Sequence, residues 1–307
     1  MRVAVVGAGG VGAGYGAFLA KAGADVTFIA RGAHLAAMKS NGLRLESPRG
    51  DIHLSPTKAT DDPASIGPVD VVLFCVKLWD VESAGATIKP IVGPDTAVIP
   101  LQNGIDASER LTPILGAEAV MAGVANIAAT IMAPGVVRQT GTGLRMVFGE
   151  LDGRRSTRGK AFADLCATAG IDGVLGESIL GDLWMKFILL ASNASIMALA
   201  RLPVGRLRDD PDIGPWFARA YEEVALVGRA IRVALPDDAV ERTLAFNRNA
   251  PPHLMASMAI DLVRGNRIEL PWLSGKVVEL GRKHGVPTPI HSLMYAMLKP
   301  YIMGKPA

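Results

Sequence analysis

The hydrophobic period of the chain changes twice within its first thirty residues. Arg2-Val3-Ala4-Val5-Val6 is a short β-branched run, the apolar positions Val11, Tyr15, Phe18 and Leu19 recur at helical spacing, and Asp25-Val26-Thr27-Phe28-Ile29 returns to a strand. That order predicts a βαβ unit. A helical segment from His34 to Lys39 follows, then a hairpin: Leu43-Arg44-Leu45 and Ile52-His53-Leu54 flank the Pro- and Gly-bearing stretch Ser47-Pro48-Arg49-Gly50-Asp51. Val69 to Val76 is a continuous apolar run, as expected of a parallel strand covered on both faces, and Thr96 to Leu101 reads as another. Ala119 to Val137 carries no charge but is broken by Gly123, Asn126, Thr130 and Pro134-Gly135, so it reads as two sheet strands. Valine-rich segments (Val120–Val124, Val136–Val137, Met146–Phe148) and a helix near Lys160–Ala169 complete the sheet domain.

From Ile179 the texture is helical throughout. Leu183-Trp184-Met185-Lys186-Phe187-Ile188-Leu189-Leu190 opens a long pattern, and further helices are expected at about 213–233, 237–246, 253–264, 271–284 and 290–299. The expected architecture is therefore α/β: a Rossmann-type, doubly wound domain over 1–178 and an all-helical domain over 179–307.

Between the first strand and the first helix lies Gly7-Ala8-Gly9-Gly10-Val11-Gly12, the G-x-G-x-x-G spacing of a dinucleotide loop. Gly7 permits a tight turn, Gly9 lets backbone N–H groups approach a pyrophosphate, and Gly12 lets the helix pack close to the strand. The helix N-terminus then faces the phosphates. The second strand ends at Ile29-Ala30-Arg31, where an NAD site usually has a carboxylate for the ribose 2′-hydroxyl. Arg31 suits a 2′-phosphate instead, which points to NADP. Ligands of open α/β sheets bind beyond the carboxyl ends of strands, so Lys77 and Asn103, each just past a strand, join the candidates.

Composition narrows the field modestly. A net charge of +3 without a long basic run gives no support to nucleic-acid binding. Two cysteines far apart, and five histidines without ligand spacing, indicate no metal site and a reduced, cytoplasmic setting. The first strand begins at once, leaving no room for a signal peptide, and the apolar run Phe187–Ala200 is shorter than the roughly twenty residues a membrane span takes.

Lys186 is the one charge inside its apolar helical run. Either its stem packs while the ammonium reaches water, or the ammonium is partly desolvated. The second arrangement would lower its pKa and favour proton donation to a carbonyl oxygen as hydride reaches carbon. The residues alone leave both open. By spacing alone Ser257 reads as a helix cap and Glu269 as a surface residue, although both are also polar candidates for the site.

Together GAGGVG at the N-terminus, CVKLW around Lys77, LQNG around Asn103, LWMKF around Lys186, the SM-x-x-D that starts at Ser257, Glu269 and HGVPTP from His284 resemble the ketopantoate reductase (2-dehydropantoate 2-reductase) family. The similarity runs from Met1 to about Lys299. It implies a two-domain enzyme of pantothenate biosynthesis that reduces a 2-oxo acid with NADPH. By that resemblance Lys186 is the general acid, with Glu269 beside substrate and cofactor. Asn103 and Ser257 would hold the substrate, Asn103 also lying near the nicotinamide. Gly7, Ala8, Gly9, Gly10, Val11, Gly12, Arg31, Lys77 and the backbone at Ala129 would line the cofactor. A small-molecule 2-oxo acid is the expected partner, and a homodimer is possible.

The chain departs from the family in one place. Leu190, Ala194, Val204 and Leu254 stand where the family carries asparagines that hold the substrate's carboxylate and hydroxyl. Losing a partner for a buried hydroxyl costs roughly 1–3 kcal/mol. Asn193 is offset from position 194 by about 100° around the helix and is a poor replacement. Three readings follow: a ketopantoate reductase, a relative that reduces a more apolar 2-oxo acid, or a non-catalytic NADP-binding regulator.

Overall fold

In the computed structural model, which describes residues 1–306, twelve strands and seven of the α-helices differ sharply in where they lie along the chain. The strands are β1 (Arg2–Val6), β2 (Asp25–Ile29), β3 (Leu43–Glu46), β4 (Ile52–Leu54), β5 (Ala59–Thr60), β6 (Val69–Phe74), β7 (Val92–Pro100), β8 (Met121–Asn126), β9 (Ala129–Ala133), β10 (Val136–Gln139), β11 (Arg145–Glu150) and β12 (Asp172–Leu175). Interleaved with them are α1 (Gly10–Lys21), α2 (Gly32–Asn41), α3 (Val81–Thr87), α4 (Ala107–Leu115) and α5 (Thr157–Thr168). After β12 only helices follow: α6 (Ile179–Ala200), α7 (Val204–Arg208), α8 (Gly214–Ala230), α9 (Ala239–Asn249), α10 (Ser257–Val263), α11 (Ser274–His284) and α12 (Pro289–Leu298).

Two compact units result. One comprises Met1–Gln102 and Asp106–Ile179, the other Asn103–Ile105 and the chain from Leu180 onward. Residue 307, the last of the expected helical domain, lies outside the described residues.

The first unit is built on a five-stranded sheet of order β5-β2-β1-β6-β7, parallel throughout. Val3, Ala4, Val5 and Val6 of the central strand are buried, which is why that strand reads as an unbroken apolar run. β2 lies on one side of β1 and β6 on the other, so the winding direction reverses beside the glycine loop. The remaining strands do not extend this sheet as a single surface. They form a four-stranded sheet, β4-β3-β10-β9, and a three-stranded one, β12-β11-β8, the latter tied to β7 by a lone parallel bridge from Val120 to Val98. Ala119–Val137 therefore supplies three strands in two sheets, where the sequence suggested two. The turn at Pro134-Gly135 turns β9 back into β10, and of the other breaks only Asn126, the last residue of β8, marks the step between sheets; Gly123 and Thr130 lie inside strands.

The second unit has its own core. Trp184, Phe187, Ile188, Phe217, Tyr221, Val224, Met258 and Val277 pack together, with the ring centroids of Trp184 and Phe187 5.4 Å apart in an edge-on arrangement. α6 starts at Ile179 and runs 22 residues, longer than its apolar run suggested. By length and hydropathy alone it could cross a membrane, but 67% of its most apolar window is buried, the pattern of a core helix.

Candidate active site

In the first unit the glycine loop leaves the carboxyl end of β1 and enters α1 without a side-chain cap, so the opening N–H groups of the helix remain available. Gly7 takes a φ of +92°, which a side chain would resist. Close approach matters most at Gly10, where a Cβ would run into the carbonyl of Ala129, placing that backbone directly against the loop. At Gly9 a Cβ would meet nothing within 4 Å, so this face of the loop is open. Arg31 is exposed at the end of β2 as the N-cap residue of α2. Lys77 follows β6, with its ammonium 5.6 Å from the ring centre of Trp79. Gly7, Ala8, Gly9, Gly10, Val11, Gly12, Arg31, Lys77 and Ala129 thus all lie in this unit.

Two side chains to which the sequence assigned no role tie neighbouring segments of this unit together. The amide of Gln102 donates to the carbonyls of Phe74 (2.9 Å) and Val76 (3.1 Å), closing the chain after β7 onto the end of β6. His34, in the first turn of α2, accepts a hydrogen bond at Nδ1 from the N–H of Gly135 (3.0 Å). His34 sits in no spacing pattern that would have marked it, and Gln102 enters only as part of LQNG, with no role attached.

Asn103, Lys186, Glu269 and Ser257 all fall in the helical unit. Three of them meet. Lys186 Nζ donates to Asn103 Oδ1 at 3.2 Å, and Asn103 Nδ2 donates to Glu269 Oε2 at 3.4 Å. The carboxamide therefore bridges an ammonium and a carboxylate, using its acceptor toward one and its donor toward the other. Glu269 is buried, not on the surface, and precedes a short 3₁₀ turn at Leu270–Trp272. Burial pulls the pKa of Lys186 down, the Glu269 charge pulls it partly back, and the balance is about 8. The ammonium is thus desolvated, the second of the two arrangements its sequence context allowed. An acid of that strength is charged at neutral pH yet readily gives up its proton, the property general acid catalysis needs.

Ser257 is exposed and is the first residue of α10, not its cap. Ala256 takes the N-cap position, with extended backbone and no side chain to offer the helix. Of the apolar residues at the family's asparagine positions, Ala194 and Val204 are wholly buried in the helical core, Leu190 is partly exposed and Leu254 is 39% exposed. Asn193 cannot stand in. Its Oδ1 accepts from the hydroxyl of Tyr221, and its Nδ2 donates to Asn247 Oδ1 at 3.1 Å.

The chain is similar to known proteins along almost its whole length. Residues 3–153 match the family model described as Ketopantoate reductase PanE/ApbA, and residues 178–301 match its C-terminal counterpart. A 2-dehydropantoate 2-reductase of Caulobacter vibrioides is 32% identical over 301 residues, covering 96% of this chain and 97% of that one. The crystal structure of a PanE/ApbA family ketopantoate reductase from Ralstonia eutropha superposes with a TM-score of 0.90 at 34% identity, over 98% of each chain. D-mandelate dehydrogenase in its ternary structure with NADH and anilino(oxo)acetate also reaches a TM-score of 0.90 over 98% of each chain. At 20% identity that likeness is one of fold.

Proposed function

Because the chain belongs to the ketopantoate reductase family, we propose that it reduces a 2-oxo acid to the 2-hydroxy acid with NADPH. The observation that carries this reading is the ammonium of Lys186, hydrogen-bonded to Asn103 and held by burial at a pKa of about 8. Residues 1–178 would carry the cofactor and the helical residues from 179 the acid.

The residues of the first unit fit a dinucleotide. Gly9 leaves room for one, the cradle made by Gly10 and Ala129 admits no side chain, and the N–H groups at the start of α1 suit a pyrophosphate. Arg31 would take the 2′-phosphate, and Lys77 and the Ala129 backbone would line the remainder. When bound, the reduced nicotinamide supplies hydride to C2 of the substrate. Lys186 gives its proton to the carbonyl oxygen as negative charge develops there, and the neutral amine then regains a proton from solvent. Asn103 keeps the ammonium oriented, and Glu269 holds Asn103 while favouring the charged form of Lys186. Ser257 would bind the substrate from the start of α10.

A substrate more apolar than ketopantoate is the finer reading. Leu190, one turn after Lys186, and Leu254 both keep surface where the family has carboxamides, and the amide of Asn193 is already engaged. Following NADPH oxidation over a panel of 2-oxo acids, from ketopantoate to branched and aromatic ones, tests both statements. Turnover favouring the apolar acids is expected. Tight NADPH binding with no turnover of any of them would instead promote a regulatory, non-catalytic role. In the same assay Arg31→Asp should reverse or abolish a preference for NADPH over NADH, and equal use of both by the wild type would remove the role given to Arg31.

A further inference from the structure

In the helical unit a linker from Ala250 to Ala256 joins α9 to α10 and leads directly into Ser257. Pro251, Pro252, His253 and Leu254 are all exposed, so apolar burial does little to hold it. Polar links to α7 hold it instead. The N–H of Val204 donates to the carbonyl of Leu254 at 2.9 Å, and that of Gly205 to the carbonyl of Pro252 at 3.0 Å. One terminal nitrogen of Arg208 donates to the carbonyls of Asn247 (2.5 Å) and Ala250 (2.6 Å), at the end of α9, where a cation also complements the helix dipole. The α7 side of this clamp is anchored, because Val204, Gly205 and Leu207 are buried. The approach is close: a Cβ on Gly205 would run into Pro252. Asn247 ties the same segment to α6, its Oδ1 accepting from Asn193 Nδ2 at 3.1 Å. Asn193 follows Lys186 by close to two helical turns, so the two leave α6 from nearly the same face, about 10 Å apart along its axis. The linker is thus fastened both to α7 and to the lysine-bearing face of α6.

We propose that Arg208 is a positioning residue for the substrate: by clamping the end of α9 and the linker onto α7, it sets the place of Ser257 relative to Lys186. Arg208 acts through the linker and not on the substrate itself. Its hydrogen bonds are charge-assisted and meet main-chain carbonyls, so they fix the path of the backbone whatever side chains the exposed linker carries. This rests on the reading of Ser257 as a substrate ligand and adds a residue from a different helix.

A double-mutant cycle separates positioning from simple support of the fold. Arg208→Ala, Ser257→Ala and the double variant are assayed with ketopantoate, 4-methyl-2-oxopentanoate and phenylpyruvate, and read on whichever the wild type turns over best. KM and kcat come from steady-state kinetics, NADPH affinity from fluorescence titration, and folding from thermal melting. Each single change should raise KM for the 2-oxo acid about ten-fold with kcat within about three-fold, the pattern of lost substrate binding. NADPH affinity should stay at the wild-type value, since the glycine loop lies in the other unit. Once Ser257 is gone, removing Arg208 should raise KM by no more than about two-fold further. Arg208→Lys should return KM to within about three-fold of wild type, because one nitrogen serves both carbonyls and an ammonium can replace it. Should Arg208→Ala not fold, Arg208→Gln, which keeps most of the stem without the charge, takes its place in the cycle. A folded variant at 208 with wild-type KM would overturn the proposal, as would two rises in KM that simply multiply in the double variant. Wild-type KM in Ser257→Ala would instead remove the substrate role of Ser257, and this inference with it, without any change at Arg208.

Discussion

Two polar clusters lie along α6 in the helical unit, and they differ in kind. One is Lys186 with Asn103 and Glu269. The other, one to three turns further on, gathers Ser192 and Ser195 of α6 with Ser274 of α11 and His291 of α12. In the second cluster the bonding closes on itself. His291 Nε2 meets the Ala220 carbonyl at 3.2 Å, its Nδ1 meets Ser274 Oγ at 2.9 Å, Ser274 meets Ser195 at 2.7 Å, and Ser192 returns to the Ile188 carbonyl at 3.0 Å. The ring is completely buried, and desolvation pushes its pKa down to about 4, so it is neutral at any physiological pH. Its helix is held by Glu223, whose carboxylate accepts the N–H groups of Ile290 and His291. Lys186, by contrast, carries a charge that burial opposes, close to the pH at which it would be lost. A satisfied neutral network specifies packing, whereas a desolvated charge poised near neutrality can do chemistry.

The largest expected effect tests the charged cluster. Lys186→Ala should lower kcat by about 10²–10⁴ while leaving NADPH affinity nearly unchanged, because the acid acts in the transition state. Its Tm should not fall, since the ammonium is already opposed by burial. Steady-state kinetics beside a melting curve would show both, and a variant with full turnover would make the two clusters alike.

The next effect belongs to the neutral cluster and runs through acid pH. The pKa of His291 is lower in the folded chain than the roughly 6.5 of an exposed histidine, so the unfolded chain takes up the proton first. Stability is therefore complete above about 6.5, is lost as pH falls through that value, and levels off near 4, for a loss on the order of 3 kcal/mol. Glu223, whose pKa burial raises, opposes this trend in the same range. The measurement is the difference in urea-unfolding free energy between wild type and His291→Asn across pH 4–7, which isolates the histidine. A difference that does not vary with pH would mean the ring is accessible in the folded chain.

A smaller loss, about 1–3 kcal/mol, is expected for Ser274→Ala, which orphans both His291 Nδ1 and the Ser195 hydroxyl. Here urea melts should shift while kcat at saturating substrate stays within two-fold. A kinetic defect larger than the stability defect would move the second cluster into the machinery of the first.

How much of this was legible follows from what each feature requires of the residues. The β1–α1 turn needs glycine at particular backbone positions and a switch of hydrophobic period, so it is written locally. The helical unit was equally plain, because its helices carry apolar faces separated by Pro and Gly. The meeting of Asn103 with Lys186 and Glu269 joins positions 83 and 166 residues apart and leaves no local trace; only the resemblance brought those residues together. The sequence did not decide between a solvated and a desolvated Lys186, because that depends on what covers the helix. Ser257 looked like a cap by residue type, but the backbone turns into the helix one residue earlier, at Ala256. The apolar segment at Ala119–Val137 hid a change of sheet, since strands of one composition serve either sheet equally. His34 is a lone histidine in a helical stretch, and nothing in its spacing distinguishes it.

The central claim is that Lys186 is the proton donor and that its environment, more than its identity, sets its strength. The pH dependence of kcat/KM tests that most directly, because it reports the ionisation of the free enzyme. For the wild type we expect kcat/KM to fall as pH rises through about 8, where the acid loses its proton. In Glu269→Gln the carboxylate that supports the ammonium is gone, and the fall should move on the order of one pH unit lower. A wild-type profile that stays level up to pH 10, or a limb that Glu269→Gln leaves in place, would contradict the assignment.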